Sequence, residues 1–437
     1  MEKIEAVFRI VTPMFMGGAK QDKAELRIPS IKAALRFWYR AVDPKYRKNE
    51  ARIFGGTGDG EGQGMFLLRL EKSVTREQWN KNNNSKSFDC FNKPHPNFNR
   101  KPNHSSSNPQ TWQLNGIRYL GFSLFMGEDN KARQAIPAGT EFTLRLLFKK
   151  RPDEQDRKRI VMSLWLLGHF GSLGTRSRRG FGVLSLQSLT VEKGEQWPEI
   201  KALRFAKDAA NQDGWLKNYK NTLSEIKKWF SDSSDSVDAN HTVFSENTKI
   251  CLTDTTRESQ KENRKEWEYA LDTAGKIMQS FRQRWDLTTP DSDYFTVKRH
   301  ICKNNDQAAK QLPNFTPSAL KKAPERVGFG LPLQFRYSSL KYHVPNRRKP
   351  IVPSVLFEGR NKKHPRSASR IWVRIAEIGN KAYPVFIRMD GPLLQKHDKI
   401  KSETGRIVNR HEQPDDKILD TFWSSFSKKQ EIEWGNL

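Results

Sequence analysis

The sequence predicts an α+β fold. Three stretches carry that prediction. Near the N-terminus Ile4, Ala6, Phe8 and Ile10 alternate along one face of a strand. Ile31, Leu35, Trp38 and Val42 step by four, three and four, the spacing of an amphipathic helix. Further on, the alternating β-formers of Thr140–Phe148 give way to a helical run with an apolar centre over Asp156–Phe170.

The elements follow in order. The first strand ends at Thr12-Pro13, and a Gly17-Gly18 turn follows. The helix then reads from about Arg27 to Val42, with Pro29 near its entry and Ser30 as a candidate cap. Residues 80–111 are dense in Asn, Ser, Pro and Lys without periodicity, which predicts a flexible insertion. Structure resumes at Tyr119–Phe125, and the strand over 140–148 and the helix over 156–170 come next. A last strand spans Val183–Val191. Strand, helix, strands, helix, strand is the order of a ferredoxin-like domain, assigned to residues 1–195.

A helical connector and a Ser/Asp-rich linker are expected over 196–240. Residues 241–437 then repeat part of the pattern. A strand near Thr248–Leu252 precedes a helix over Trp267–Trp285, a glycine turn falls at Arg326–Pro332, and strands are expected at 369–378 and 383–389. A second, decorated domain of related design is the expectation.

Composition narrows the function. The 437 residues hold 77 Lys plus Arg against 49 Asp plus Glu, a formal charge of +28, so the surface attracts polyanions, of which phosphate backbones are the commonest. Cys90, Cys251 and Cys302 include no CxxC pair, which argues against a disulfide framework or a zinc ribbon and for a reducing compartment. No apolar run approaches the ~18 residues of a membrane span, and the first residues lack a signal-peptide pattern. A cytoplasmic protein with no membrane partner, metal or cofactor is expected.

The sharpest motif is Gly171-Ser-Leu-Gly-Thr-Arg-Ser-Arg-Arg-Gly-Phe-Gly182. Gly171, Gly174, Gly180 and Gly182 permit tight turns, exposed amides there would cradle an anion, and Arg176, Arg178 and Arg179 add charged donors. No Gly-Lys-Ser/Thr closes it as a Walker loop, and its place between a helix and a strand excludes a dinucleotide fingerprint. The bland alternative is a helix cap with solvated arginines. A second basic feature is the stripe Lys32, Arg36 and Arg40, about 130° from the apolar one on the same helix, so that the helix packs and still presents cations; its bland alternative is a solvated face. Gly17 and Gly18 would bring amides near the same ligand. His169 invites a general-base reading, against a structural histidine at a helix end. Glu61 and Asp59 lack an EF-hand pattern, and Trp112, Trp215 and Trp229 are read as core rather than base-stacking residues.

Taken together, Thr12-Pro-Met-Phe-Met-Gly-Gly-Ala19, Arg27-Ile-Pro-Ser-Ile-Lys-Ala-Ala-Leu-Arg-Phe-Trp-Tyr-Arg40, Ile53-Phe-Gly-Gly, Ile136-Pro-Ala-Gly-Thr-Glu-Phe and Gly174-Thr-Arg-Ser-Arg-Arg-Gly-Phe-Gly182 resemble the RAMP superfamily of CRISPR proteins. The Arg-Phe-Trp form is similar to subunit one of type III-B Cmr effector complexes. Phe329-Gly-Leu-Pro-Leu-Gln-Phe335 and Arg366-Ser-Ala-Ser-Arg-Ile-Trp-Val-Arg374 look like that subunit's second domain, with Arg370 where proline is expected. The resemblance implies two tandem ferredoxin-like (RRM-like) domains with helical and disordered insertions. It also implies a non-catalytic, RNA-binding subunit of an antiviral ribonucleoprotein, at the guide's 3′ end, with guide RNA, target RNA and neighbouring RAMP subunits as partners. On this resemblance the glycine-rich loop and the Arg36/Arg40 helix face RNA or a neighbouring subunit. The rival is a metal-independent RAMP endoribonuclease that processes CRISPR transcripts, with His169 as its base.

Overall fold

A computed structural model describes residues 2–19, 24–71, 116–124, 134–192, 194–230, 243–256, 264–285, 293–312, 316–362, 365–395, 397–426 and 430–437. The expected insertion over 80–111, the linker over 231–240, Cys90 and Trp112 lie outside them. They fall into two compact units: Met1–Ile277 with Trp372–Gly391 and Lys428–Leu437, and Met278–Ile371 with Pro392–Ser427.

In the larger unit, β1 (Lys3–Ile10) leads to the helix Ile28–Val42, a shorter helix Tyr46–Phe54, β2 (Phe66–Glu71), β3 (Glu141–Phe148), the helix Glu154–His169 and β4 (Leu184–Glu192). The sheet runs β2-β3-β1-β4 with every pairing antiparallel, the ferredoxin-like order. Alternation in β1 and β3 puts Ile4, Ala6, Phe8, Phe142, Leu144 and Leu146 on one buried face. Phe8 sits opposite Phe142, and their rings stack at 5.4 Å. The helices 28–42 and 154–169 pack together over this sheet. The first helix starts from Arg27 with Pro29 in its opening turn and no side-chain cap, so Ser30 lies inside it. The second is capped by Asp153, whose carboxylate accepts the Asp156 amide at 2.8 Å.

The helix Gln212–Trp229 leads on to β5 (Lys249–Leu252) and the helix Glu266–Trp285. The chain then forms β6 (Leu333–Arg336), β7 (Ser354–Gly359), β8 (Ile371–Ile378), β9 (Lys381–Arg388), β10 (Ile400–Thr404), β11 (Ile407–His411) and β12 (Gln430–Glu433). The larger unit's second sheet is ordered β12-β5-β9-β8, so the fourth-first-third-second arrangement recurs and the chain is α+β with two ferredoxin-like sheets. The smaller unit holds the sheet β11-β10-β7-β6 and the helix Asp293–Lys303 around Val297, Ile301, Phe335, Val355 and Phe357. There the carboxylate of Asp293 accepts the amides of Glu325 and Arg326, and Arg370 pairs with Asp416 at 2.7 Å.

Candidate nucleic-acid interface

RNA-recognition sheets stack bases on aromatics of their open face. The open face of the first sheet carries no aromatic side chain: Lys3, Glu5, Val7 and Arg9 on β1, with Thr143, Arg145 and Leu147 on β3, occupy it. Arg145 there is held by Glu5 at 2.9 Å and Glu71 at 2.6 Å. That face is a neutralised charge network and not a stacking platform, which directs attention to the loops.

The glycine-rich loop 171–182 is laced into the protein. Its Gly171 amide donates to Leu166, Leu173 to Gly182, Thr175 to Phe15, Arg179 to Arg176 and Gly182 to Pro13. Five of the loop's amides are therefore engaged within the protein. The glycines serve close approach. Gly180 has φ +81°, and a methyl group on it would lie 2.6 Å from Leu271 Cδ1. Gly174 has φ +89°, and a methyl group there would lie 2.6 Å from the Phe15 carbonyl oxygen.

β8 and the helix 28–42 meet this loop. The Val373 amide donates to the Arg178 carbonyl at 3.1 Å, and Val373 bridges Arg179. The Arg178 guanidinium lies 4.6 Å from the Trp372 ring centroid and 5.8 Å from that of Phe37, while those two rings stack at 5.4 Å. Burial alone pushes Arg178 down to about 10. Burial also lowers Arg176, which sits at φ +62°. Beneath the loop, the buried Arg374 donates to the carbonyls of Gly171 at 2.9 Å, Gly168 at 2.8 Å and Leu184. Burial lowers its pKa. Sequence reasoning missed Phe37, Trp372 and Arg374 as partners of the loop. All three belong to quoted motifs, but nothing local in the sequence pairs them.

The stripe on the first helix is only partly a free cationic face. Arg36 donates to the carbonyls of Phe54, at 3.0 Å, and Gly55. Arg40 forks onto the Glu50 carboxylate, and that hydrogen bond, opposed by burial, raises its pKa. These ties hold both guanidiniums against the neighbouring helix and its end, and both side chains stay partly exposed. Lys32 differs: burial, and then the charge of Arg36, lower its pKa, and it forms no ion pair among the described residues. Gly17 bridges Ala24, and a methyl group on Gly18 would lie 1.9 Å from a Glu25 carboxylate oxygen, a poor neighbour for a phosphate.

His169 is a core residue. Its Nδ1 lies 2.8 Å from the Trp165 carbonyl, its Nε2 lies 3.1 Å from the Ala206 amide, and the ring stacks on Trp165 at 4.0 Å. Nδ1 therefore donates and Nε2 accepts, one neutral tautomer with both nitrogens occupied. Burial pushes its pKa down to about 3. A proton-abstracting role needs a nitrogen turned to substrate, and His169 has none. Trp215 is buried against Tyr219, and Trp229 donates to Glu225 at 2.9 Å. No cluster of three metal-ligating side chains occurs among the described residues. No helix among them is long and apolar enough to cross a membrane.

Comparison with known proteins adds likenesses to a family. The RAMP superfamily model matches residues 7–185. CRISPR system Cmr subunit Cmr1-1 of Pyrococcus furiosus is 29% identical over 181 residues, which is 39% of this chain and 44% of that protein. The match thus spans less than half of that relative's length. Cmr subunit Cmr1-2 of the same organism is 24% identical over 204 residues, 42% of this chain and 96% of that protein. Among solved structures, apo Cmr1 from Pyrococcus furiosus aligns over 100% of both chains at 18% identity with a TM-score of 0.52, a likeness of fold. The matched residues 7–185 run from within β1 to the start of β4 and include the glycine-rich loop, so the chain is similar to the RAMP superfamily over that stretch.

Proposed function

We propose that this chain is a non-catalytic RNA-binding subunit of a type III-B CRISPR (Cmr) effector ribonucleoprotein, seated at the guide's 3′ end and helping to engage target RNA, beside neighbouring RAMP subunits in the cytoplasm. The observation that carries the RNA reading is Arg178. Its charge is half-buried on two aromatic rings and lowered by burial with no carboxylate opposing that shift. Lys32, on the helix that supplies Phe37, is lowered by burial and by a like charge. A cation desolvated without a counter-charge gains more from an arriving phosphate than a solvated one, because the phosphate replaces hydration already lost. In a chain of net charge +28 such groups favour a nucleic-acid backbone. The relatives' names supply the complex, and the RAMP likeness over 7–185 agrees with it. His169, the one residue offered for the nuclease alternative, is consumed by the core.

The test is direct. Purified protein is incubated with end-labelled single-stranded RNA, including a CRISPR-repeat transcript, with and without magnesium, and run on native and denaturing gels. A mobility shift with intact RNA is the expected result. Discrete cleavage, or no shift at low salt, overturns the proposal.

A further inference from the structure

The smaller unit carries 25 lysines and arginines against 12 acidic residues, a net of +13 in 130 residues, while the other 307 residues carry +15. Its excess is concentrated. Between Arg336 and Arg370 there are ten lysines and arginines and a single carboxylate, Glu358, which is taken by Lys401 at 2.8 Å. At the centre of this stretch Tyr342 and Ile351 exchange backbone hydrogen bonds of 3.1 and 2.9 Å and close a hairpin that continues from the β6–β7 pairing. The Arg347 amide donates to Val344 at 3.2 Å, and Asn346 turns the chain at φ +67°. The Tyr342 hydroxyl accepts from Asn305 at 3.3 Å, tying the stem to the body of the unit. Lys341, just before this hairpin, and Arg347, Arg348 and Lys349 within it are exposed, and none of the four forms an ion pair among the described residues.

From this we infer a second RNA contact: the hairpin Tyr342–Ile351 is a docking surface for the phosphodiester backbone of single-stranded RNA, through Lys341, Arg347, Arg348 and Lys349. It rests on the RNA-binding reading above and adds a surface that the glycine-rich loop does not provide. Four like charges on an ordered hairpin repel one another, and folding gains nothing from grouping them without acids nearby. A backbone of regularly spaced phosphates turns the same grouping into attraction by releasing condensed counterions. Two adjacent arginines at the tip offer planar forks suited to phosphate oxygens. With no aromatic side chain among the tip residues Pro345–Pro350, the hairpin would read backbone and not base.

The experiment compares the full chain with Lys341→Ala/Arg347→Ala/Arg348→Ala/Lys349→Ala, using an end-labelled single-stranded RNA across a salt series, with poly-glutamate as a second probe. Arg347→Lys/Arg348→Lys is the charge-preserving control, and thermal unfolding checks that the exposed substitutions leave the fold intact. The slope of log affinity on log salt is expected to fall by about 0.7 per lost contact, up to about 3 in all, and the lysine control should keep the parental slope. A parent that binds RNA and a quadruple variant of equal slope overturn the hairpin assignment and leave the RNA reading standing. Equal RNA slopes with poly-glutamate binding lost would overturn it in favour of an acidic protein surface. A parent that holds no RNA at low salt overturns both readings.

Discussion

The guanidinium of Arg374 donates to the carbonyl oxygen of Gly171 at 2.9 Å across 203 positions of sequence. The same group reaches the carbonyls of Gly168 and Leu184, so one buried cation serves the end of the helix Glu154–His169, the first residue of the glycine-rich loop and the start of β4. Carbonyls at a helix C-terminus lack intrahelical donors and lie at the negative end of its dipole, which suits a cation there. Gly171 has a structural role of its own: a methyl group on it would lie 2.8 Å from the Leu167 Cα.

Replacing Arg374 with methionine keeps much of the volume and strands the carbonyls of Gly168 and Leu184, while that of Gly171 keeps the Leu184 amide at 3.3 Å. A buried acceptor left without a donor costs about 1–3 kcal/mol, so the variant should lose about 2 kcal/mol or more of stability in urea unfolding of the full chain. Arg374→Lys should recover only part, because one ammonium cannot span three carbonyls in a planar fork. A methionine variant as stable as the parent would remove Arg374 from this role.

Two glycines of similar backbone geometry should respond differently to alanine. Gly180 at φ +81° faces Leu271 and Val373, whereas Gly60 at φ +76° faces nothing within 4 Å. Both substitutions bear the left-handed penalty of about 1–2 kcal/mol. Only Gly180→Ala adds overpacking, typically about 1–3 kcal/mol more. Unfolding midpoints should therefore drop clearly further for Gly180→Ala than for Gly60→Ala. Equal drops would mean that the packing of the loop against Leu271 and Val373 is loose.

What the sequence could and could not convey follows from the range of each signal. β1, β3 and the helices 28–42 and 154–169 were legible because their burial repeats at period two or 3.6 within a few residues. β12 was not, since Gln430–Glu433 has one apolar residue, Ile432, and its strand character comes from pairing with β5. The order of the second sheet was hidden by the sequence between β5 and β8 and between β9 and β12. In the candidate site, the spacing of Arg36 and Arg40 correctly gave a shared helix face. It could not reveal that Glu50 and the carbonyls of Phe54 and Gly55 cover that face. The glycine and arginine pattern of the loop was legible as a tight, charged turn. Its engagement by Trp372 and Arg374 was not, because those residues lie about two hundred positions away.

His169 makes stability depend on acid. Its folded pKa of about 3 lies below the ordinary 6.5 because burial disfavours the imidazolium. A histidine depressed in this way contributes stability that is fully present above pH 6.5 and is lost as pH falls toward 3, where the unfolded chain binds the extra proton. The slope is about 1.4 kcal/mol per pH unit for one proton. His169→Asn should lower stability at pH 7 through lost packing and should flatten the decline between pH 6.5 and 4 by about that slope. Urea unfolding at several pH values reads both effects. An unchanged acid slope would show that His169 is not the group being titrated.

The basic residues of the larger unit should separate into those available to RNA and those already engaged. Lys32 and Arg178 have burial as the leading cause of their lowered pKa and no ion pair among the described residues, whereas Arg40 is forked onto Glu50. Counterion release counts the cations that meet phosphates, not all cations present. Lys32→Ala and Arg178→Ala should each lower the salt slope of single-stranded RNA binding by about 0.7. Arg40→Gln should leave the slope where it is, since the lost charge was already neutralised. Arg178→Lys is the finer probe: charge survives while stacking on Trp372 and Phe37 is lost, so the slope should hold as affinity falls. If instead Arg40→Gln lowers the slope and Arg178→Ala does not, the RNA path runs along the outer turn of the first helix and away from the loop.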